Sequence, residues 1–125
     1  MASNCNSVDS CGTVFSVTPS GSEKVLHAFR GDPDGAGPVA SLINVKGTLY
    51  GTTEFGGPYF CDIGGRCGTV FSIATNGTEE VLHGFGSGTD GIHPPAGVTD
   101  VDGTLYGTTT DGGTNGYGTV FALTP

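Results

Sequence analysis

The run Gly47-Thr-Leu-Tyr-Gly-Thr-Thr53, followed by Gly56-Gly57, a turn and Gly68-Thr-Val-Phe71, occurs twice. It returns as Gly103-Thr-Leu-Tyr-Gly-Thr-Thr109, Gly112-Gly113, a shorter turn and Gly118-Thr-Val-Phe121; its second half also stands alone as Gly12-Thr-Val-Phe15. Residues 12–57 align on residues 68–113 without a gap and agree at more than half of the positions. The 125 residues therefore form a repeat protein, with a unit of about 50 residues. This constrains the fold strongly, because a repeat unit buries its apolar faces only against its neighbours.

Composition says how the unit is built. With 24 Gly and 7 Pro, a chain lacking periodicity would lean towards disorder. Here the glycines recur in register and mark turns between ordered segments. Short β-branched and aromatic runs bounded by Gly, Pro, Asn and Asp predict four strands per unit. The first is Val39–Val45 and Ala96–Val101, the second Thr48–Thr53 and Thr104–Thr109. The third is Thr13–Val17, Thr69–Ile73 and Thr119–Leu123, and the fourth Glu23–Phe29 and Glu79–Phe85. No segment has a 3.6-residue period, so no helix is predicted.

Alternation puts Thr13, Phe15 and Val17 on one face of the third strand, and Val25, His27 and Phe29 on one face of the fourth. Both faces are apolar or small, which suits sheets stacked around an axis. The expected fold is all-β: β-propeller blades of four antiparallel strands, about two blades per chain. It forms a single repeat domain over 1–125, with two strands at 12–30, a full blade at 38–86 and a partial blade at 94–124. Two blades leave an open apolar face and an open edge. Oligomerisation is expected to complete them, as a ring of three or four chains or as a head-to-tail filament. One Gly-Thr-Val-Phe strand is then surplus at each junction.

A formal charge of −8 argues against nucleic acid and membrane surfaces as partners. No apolar run reaches the roughly 18 residues of a membrane helix. Met1-Ala2-Ser3-Asn4 shows neither the basic nor the apolar region of an export signal. Cys5 and Cys11, like Cys61 and Cys67, are spaced Cys-x5-Cys directly before Gly-Thr-Val-Phe. Equivalent pairs at equivalent positions predict two loop-closing disulfides and an extracytoplasmic location. Zinc ligation, which usually uses tighter spacing, and free thiols are the alternatives.

The order Gly-Thr-Val-Phe, then Gly-x-Glu-x-Val-Leu-His-x-Phe, Asp-Gly-x-x-Pro-x-Ala and Gly-Thr-Leu-Tyr-Gly-Thr-Thr-x-x-Gly-Gly runs from Gly12 onwards. It resembles the GloVer repeat, found in tandem arrays in secreted bacterial proteins. The resemblance implies a β-propeller former that is secreted or at the cell surface. It carries over no catalytic residue and no assigned activity.

Several residues are candidates for chemistry. His27 and His83 recur, each with a Glu four residues before it (Glu23, Glu79), as a repeated ligand or acid–base pair would; the alternative is a packed histidine bonded to backbone. Asp32 with Asp34, and Asp100 with Asp102, place carboxylates two apart, a pattern that suits Ca2+ and also ordinary turns. Tyr50 and Tyr106, with Thr52, Thr53, Thr108 and Thr109, are candidates for carbohydrate contact. Pro58, Tyr59, Phe60 and Arg66 belong to the inserted turn, where a specific contact would sit. Asn76-Gly-Thr78 is a glycosylation sequon and also a turn.

No nucleophile–base set and no phosphate loop is visible; paired carboxylates for glycoside cleavage are the one enzymatic option. The expected function is a non-enzymatic, extracellular, self-assembling module with a structural or adhesive role. A glycan-binding lectin-like propeller and a filament subunit are the alternatives.

Overall fold

The structure, a computed structural model, describes residues 11–61 and 65–125, and the side chains of Gly65 and Arg66 are not among what it describes. Every regular element among the described residues is a β-strand. Strands β1 (Thr13–Val17) and β2 (Glu23–Ala28) form an antiparallel hairpin. Next come β3 (Ile43–Val45) and β4 (Thr48–Thr53). The inserted turn carries the small hairpin β5 (Phe60–Cys61) and β6 (Gly65–Arg66). Strands β7 (Thr69–Ala74) and β8 (Glu79–Gly84) complete a four-stranded antiparallel sheet in the order β3-β4-β7-β8. After β9 (Gly91–Ile92), β10 (Thr99–Val101) and β11 (Thr104–Thr109) pair. Then β12 (Asp111–Gly112) pairs with β9, and β13 (Thr119–Leu123) joins β11 to give a three-stranded sheet.

The two β3-type strands are shorter than the expected Val39–Val45 and Ala96–Val101. Only Ile43–Val45 and Thr99–Val101 pair. The preceding segments begin with Pro38 and with Pro94-Pro95, which have no N–H to offer a ladder.

Each β3–β4 type connection is a two-residue hairpin with both central residues at positive φ: Lys46 and Gly47 (54° and 92°), Asp102 and Gly103 (53° and 92°). That is the type I′ geometry that matches strand twist. Asn44 Oδ1 accepts from the Gly47 N–H at 2.9 Å, and Asp100 Oδ1 does the same for Gly103. The recurring threonines are structural too. Thr53 Oγ1 donates to the Phe55 carbonyl at 3.0 Å and meets Thr69 Oγ1 at 2.8 Å; Thr109 and Thr119 repeat the pair. At Gly51 a side chain rather than a backbone approaches: an added Cβ would come 2.7 Å from the Phe71 ring.

Strict alternation fails in β2 and β8. Phe15 pairs with Val25 but Val14 pairs with His27, so Leu26 is an extra residue; Leu82 is its counterpart in β8. Such a bulge reverses the faces beyond it. Val25 therefore stays with Phe15, while His27 and Phe29 face the opposite way, towards the next sheet.

The sheets stack through two alike cores. In the first, Cys11, Val14 and Phe29 of the leading hairpin pack on Phe71 and Ile73 of the four-stranded sheet. In the second, Cys61, Cys67, Val70 and Phe85 pack on Phe121, Leu123 and Ile92. The Phe29–Phe71 and Phe85–Phe121 rings meet at 5.1 Å and 65° in both. Strands β3 and β10 lie against each other, and Thr52 Oγ1 donates across the interface to the Ala96 carbonyl at 2.9 Å.

Candidate functional site

The polar groups that the fold gathers lie at these junctions. The bulge at Leu26 aims His27 at the following sheet. Its Nε2 is 3.0 Å from Asp34 Oδ2. Asp34 is buried in the turn after β2, and its other oxygen accepts the Arg30 N–H at 3.0 Å. Glu79 opens β8 opposite Ile73, on the face turned back to the hairpin. Its Oε1 is 3.9 Å from His27 Nε2. His27, Asp34 and Glu79 thus present one ligand atom each within 4.8 Å of one another.

The Glu79 side chain is 8% exposed, and its Oε2 is buried without a hydrogen-bond partner. Burial first, then the Asp34 carboxylate and Glu80, push the Glu79 carboxyl up to about 7; Arg30 pulls the other way. A neutral carboxyl is the less costly form in such a place. The Phe29 ring packs edge-on against His27 at 4.7 Å.

The next junction holds the same pair. His83 Nε2 is 2.8 Å from Asp90 Oδ2, Asp90 Oδ1 accepts the Gly91 N–H at 3.0 Å, and Phe85 lies edge-on at 4.8 Å. Among the described residues no carboxylate takes the place of Glu79 there. The expectation of a histidine beside Val25 and bonded to backbone is corrected on both counts. The partner is a carboxylate, and the bulge puts Val25 on the other face. Glu79 likewise serves His27 of the preceding unit rather than His83 of its own.

A third histidine gave no sequence signal, since Gly37 occupies its position in the earlier copy. The His93 Nδ1 is 3.3 Å from Asp111 Oδ2, the ring tilts on Phe55 at 5.0 Å, and Nε2 is buried without a partner.

The remaining candidates scatter. Asp34 joins the histidine cluster and Asp32 does not. Asp100 is engaged in its turn, and Asp102 is the positive-φ residue of the same turn. Tyr50, Asp100 and Asp102 line one open cleft of about 810 Å³ between the two larger sheets, with Lys46 and Thr48. Tyr106 lies apart, beside Thr99 and Thr108. Thr52, Thr53 and Thr109 are buried and bonded internally. Tyr59 and Phe60 are exposed, and Arg66 lies on β6.

Cys61 and Cys67 form a disulfide with Cα atoms 5.6 Å apart. Cys11 is also disulfide-bonded; Cys5 lies outside the described residues. Asn76 Oδ1 accepts the Thr78 N–H at 3.0 Å, a turn role.

No curated protein and no solved structure matches the chain. A family model matches residues 2–125, the span in which the Thr pairs, Gly–Phe contacts and His–Asp pairs recur, and by it the chain belongs to the Gloeobacter/Verrucomicrobia repeat family.

Proposed function

We propose that the chain is a non-enzymatic β-propeller repeat module that assembles with further copies of itself and serves as an extracellular structural or adhesive scaffold. The observation that carries this is the mismatch between closed and open junctions. The face of β7–β8 is covered by the preceding hairpin; the equivalent face of β1–β2 exposes Phe15, Val17 and Val25. Along the inner edge of β1 runs an apolar groove of about 380 Å³, lined by Val14, Phe15, Val39, Leu42 and Phe71.

In the four-stranded sheet, β3 and β4 occupy the place corresponding to that groove. Strands β10 and β11 of a second copy fit there, pairing with β1 as β4 pairs with β7. Strand β13, which carries the same Gly-Thr-Val-Phe run and already pairs with β11, is the rival of β1 for the edge of β11 and gives way to it at the junction. Repeating the contact gives a ring of three or four chains. The disulfides support an oxidising, extracellular home.

Phe15→Asp tests the reading, since it places a charge in the new junction and leaves the Phe71 core untouched. Electron microscopy of the wild type is expected to show closed rings that Phe15→Asp abolishes. Particles that Phe15→Asp leaves unchanged would contradict it, and open filaments would correct the closure alone. A second reading, glycan binding, is favoured by the cleft that gathers Tyr50, Asp100 and Asp102 with Thr48. A glycan array on wild type and Tyr50→Ala tests it; no binding removes it.

A further inference from the structure

The histidine clusters remain unexplained by assembly alone. His27 offers an imidazole nitrogen, and Asp34 and Glu79 a carboxylate oxygen each. Three protein ligands leaving one position for water form the open set of a zinc-type ion. A mixed nitrogen and oxygen set suits such an ion better than Mg2+ or Ca2+, and Ca2+ needs six to eight oxygens.

The spacing of the three groups suits such an ion. The ligand atoms lie between 3.0 and 4.8 Å apart. Bonds near 2.1 Å in a tetrahedron set ligand atoms about 3.4 Å apart, so Glu79 must close by roughly 1.4 Å at most. Asp34 is already oriented by the Arg30 N–H. The independent sign is Glu79 itself, more than nine-tenths buried, turned into the cluster, with Oε2 unpartnered. A buried carboxylate oxygen without a donor is costly, and an ion held between Asp34 and Glu79 would partner Oε2.

We propose that each junction between units binds one divalent transition-metal ion of the zinc class, with His and Asp from one unit and Glu from the next. The complete site, His27–Asp34–Glu79, lies within one chain and does not depend on self-assembly. The second, His83–Asp90, rests on the assembly reading: Glu23 pairs with Val17 as Glu79 pairs with Ile73, at the same position of the repeat. A second copy would deliver it to His83 and Asp90.

Calorimetry with ZnCl2 on the chelator-stripped full chain tests this. The expected result is one ion per chain in Phe15→Asp, weakened at least tenfold by His27→Ala or Glu79→Gln and unaffected by His83→Ala. Glu79→Gln preserves size and removes the charge, and circular dichroism checks its fold. No zinc binding, or binding that Glu79→Gln leaves intact, overturns the proposal. In assembled wild type the stoichiometry is expected to approach two per chain and to fall to one in Glu23→Gln; unchanged stoichiometry there overturns the second site. A protein that stays monomeric yet binds zinc through Glu79 refutes the assembly reading and keeps the first site. Rings that form without binding zinc refute this proposal alone.

Discussion

Phe15 and Phe71 are the same residue of the same motif in two copies. Phe71 is fully buried and Phe15 is 57% exposed. Val70 and Val120 differ in the same way, 0% against 80%, at the other end of the stack. Their own strands pair alike, Phe71 with Val81 and Phe15 with Val25. The difference comes from what surrounds each strand: β7 has β4 along its other edge, with Gly51 opposite Phe71, and the Phe29 ring of the preceding unit on its face, while β1 pairs with β2 alone. The histidines repeat the lesson. His27, with Glu79 beside it, is 21% exposed; His83, without such a neighbour, is 40% exposed. The middle unit of this chain makes its four-stranded sheet by itself and its core with its neighbours.

The sharpest way to break this comparison is to truncate both phenylalanines. Phe71→Ala is expected to cost about 3–5 kcal/mol, and Phe15→Ala less than about 0.5 kcal/mol in the unassembled chain, as at an exposed position. Urea unfolding measures both; equal costs would mean that the neighbour is not what buries the ring. Next in size is the disulfide between Cys61 and Cys67, which lies under Phe85 in the second core. Replacing both by Ala is expected to lower stability by about 2 kcal/mol, as for a short closed loop. Thermal unfolding under non-reducing conditions reads that loss.

Smaller is the pH effect of Glu79. Its carboxyl is held up near 7 in the fold, against 4.5 as the ordinary value. Between these values the folded chain binds the extra proton. The stability present below about pH 4.5 is therefore lost as pH rises through about 7. His27, Asp34, Arg30 and Glu80 face the same carboxyl. In chelator, Glu79→Gln is expected to flatten the stability–pH curve in that window, with Glu23→Gln as the exposed control. Identical curves for wild type and Glu79→Gln would refute the assignment. The smallest effect is expected at Asp100→Ala, about 0.5–1 kcal/mol, from loss of the turn bond to Gly103, checked by the same denaturant series.

Much of the fold was legible in the residues. Thr13–Val17, Thr69–Ala74 and Thr119–Leu123 are strands because β-branched and aromatic residues follow a glycine that breaks the chain. The Lys46-Gly47 and Asp102-Gly103 hairpins follow from turn chemistry. The site was legible only in part. His27 and His83 stand out by recurrence, and Asp34 by its turn. What could not be read was the extra residue at Leu26 and Leu82. A bulge leaves no compositional mark, yet it turns the histidine away from Val25 and into the junction. Nor could the partnership of His27 with Glu79 be read, because it crosses from one unit to the next. The equal spacing of Glu79 to His83 pointed to the wrong histidine. His93 was invisible for another reason: it breaks the repeat, so no second copy underlined it.

In the proposed assembly Phe15 takes up, on the Phe85 of a second copy, the contact that the chain already makes twice within itself, Phe71 on Phe29 and Phe121 on Phe85. Multi-angle light scattering across a range of concentrations tests it most directly. The expected particle has about three or four times the mass of the 12.5 kDa chain, reduced to a single chain in Phe15→Asp. A wild-type chain that scatters as a monomer of 12.5 kDa at every concentration would contradict it.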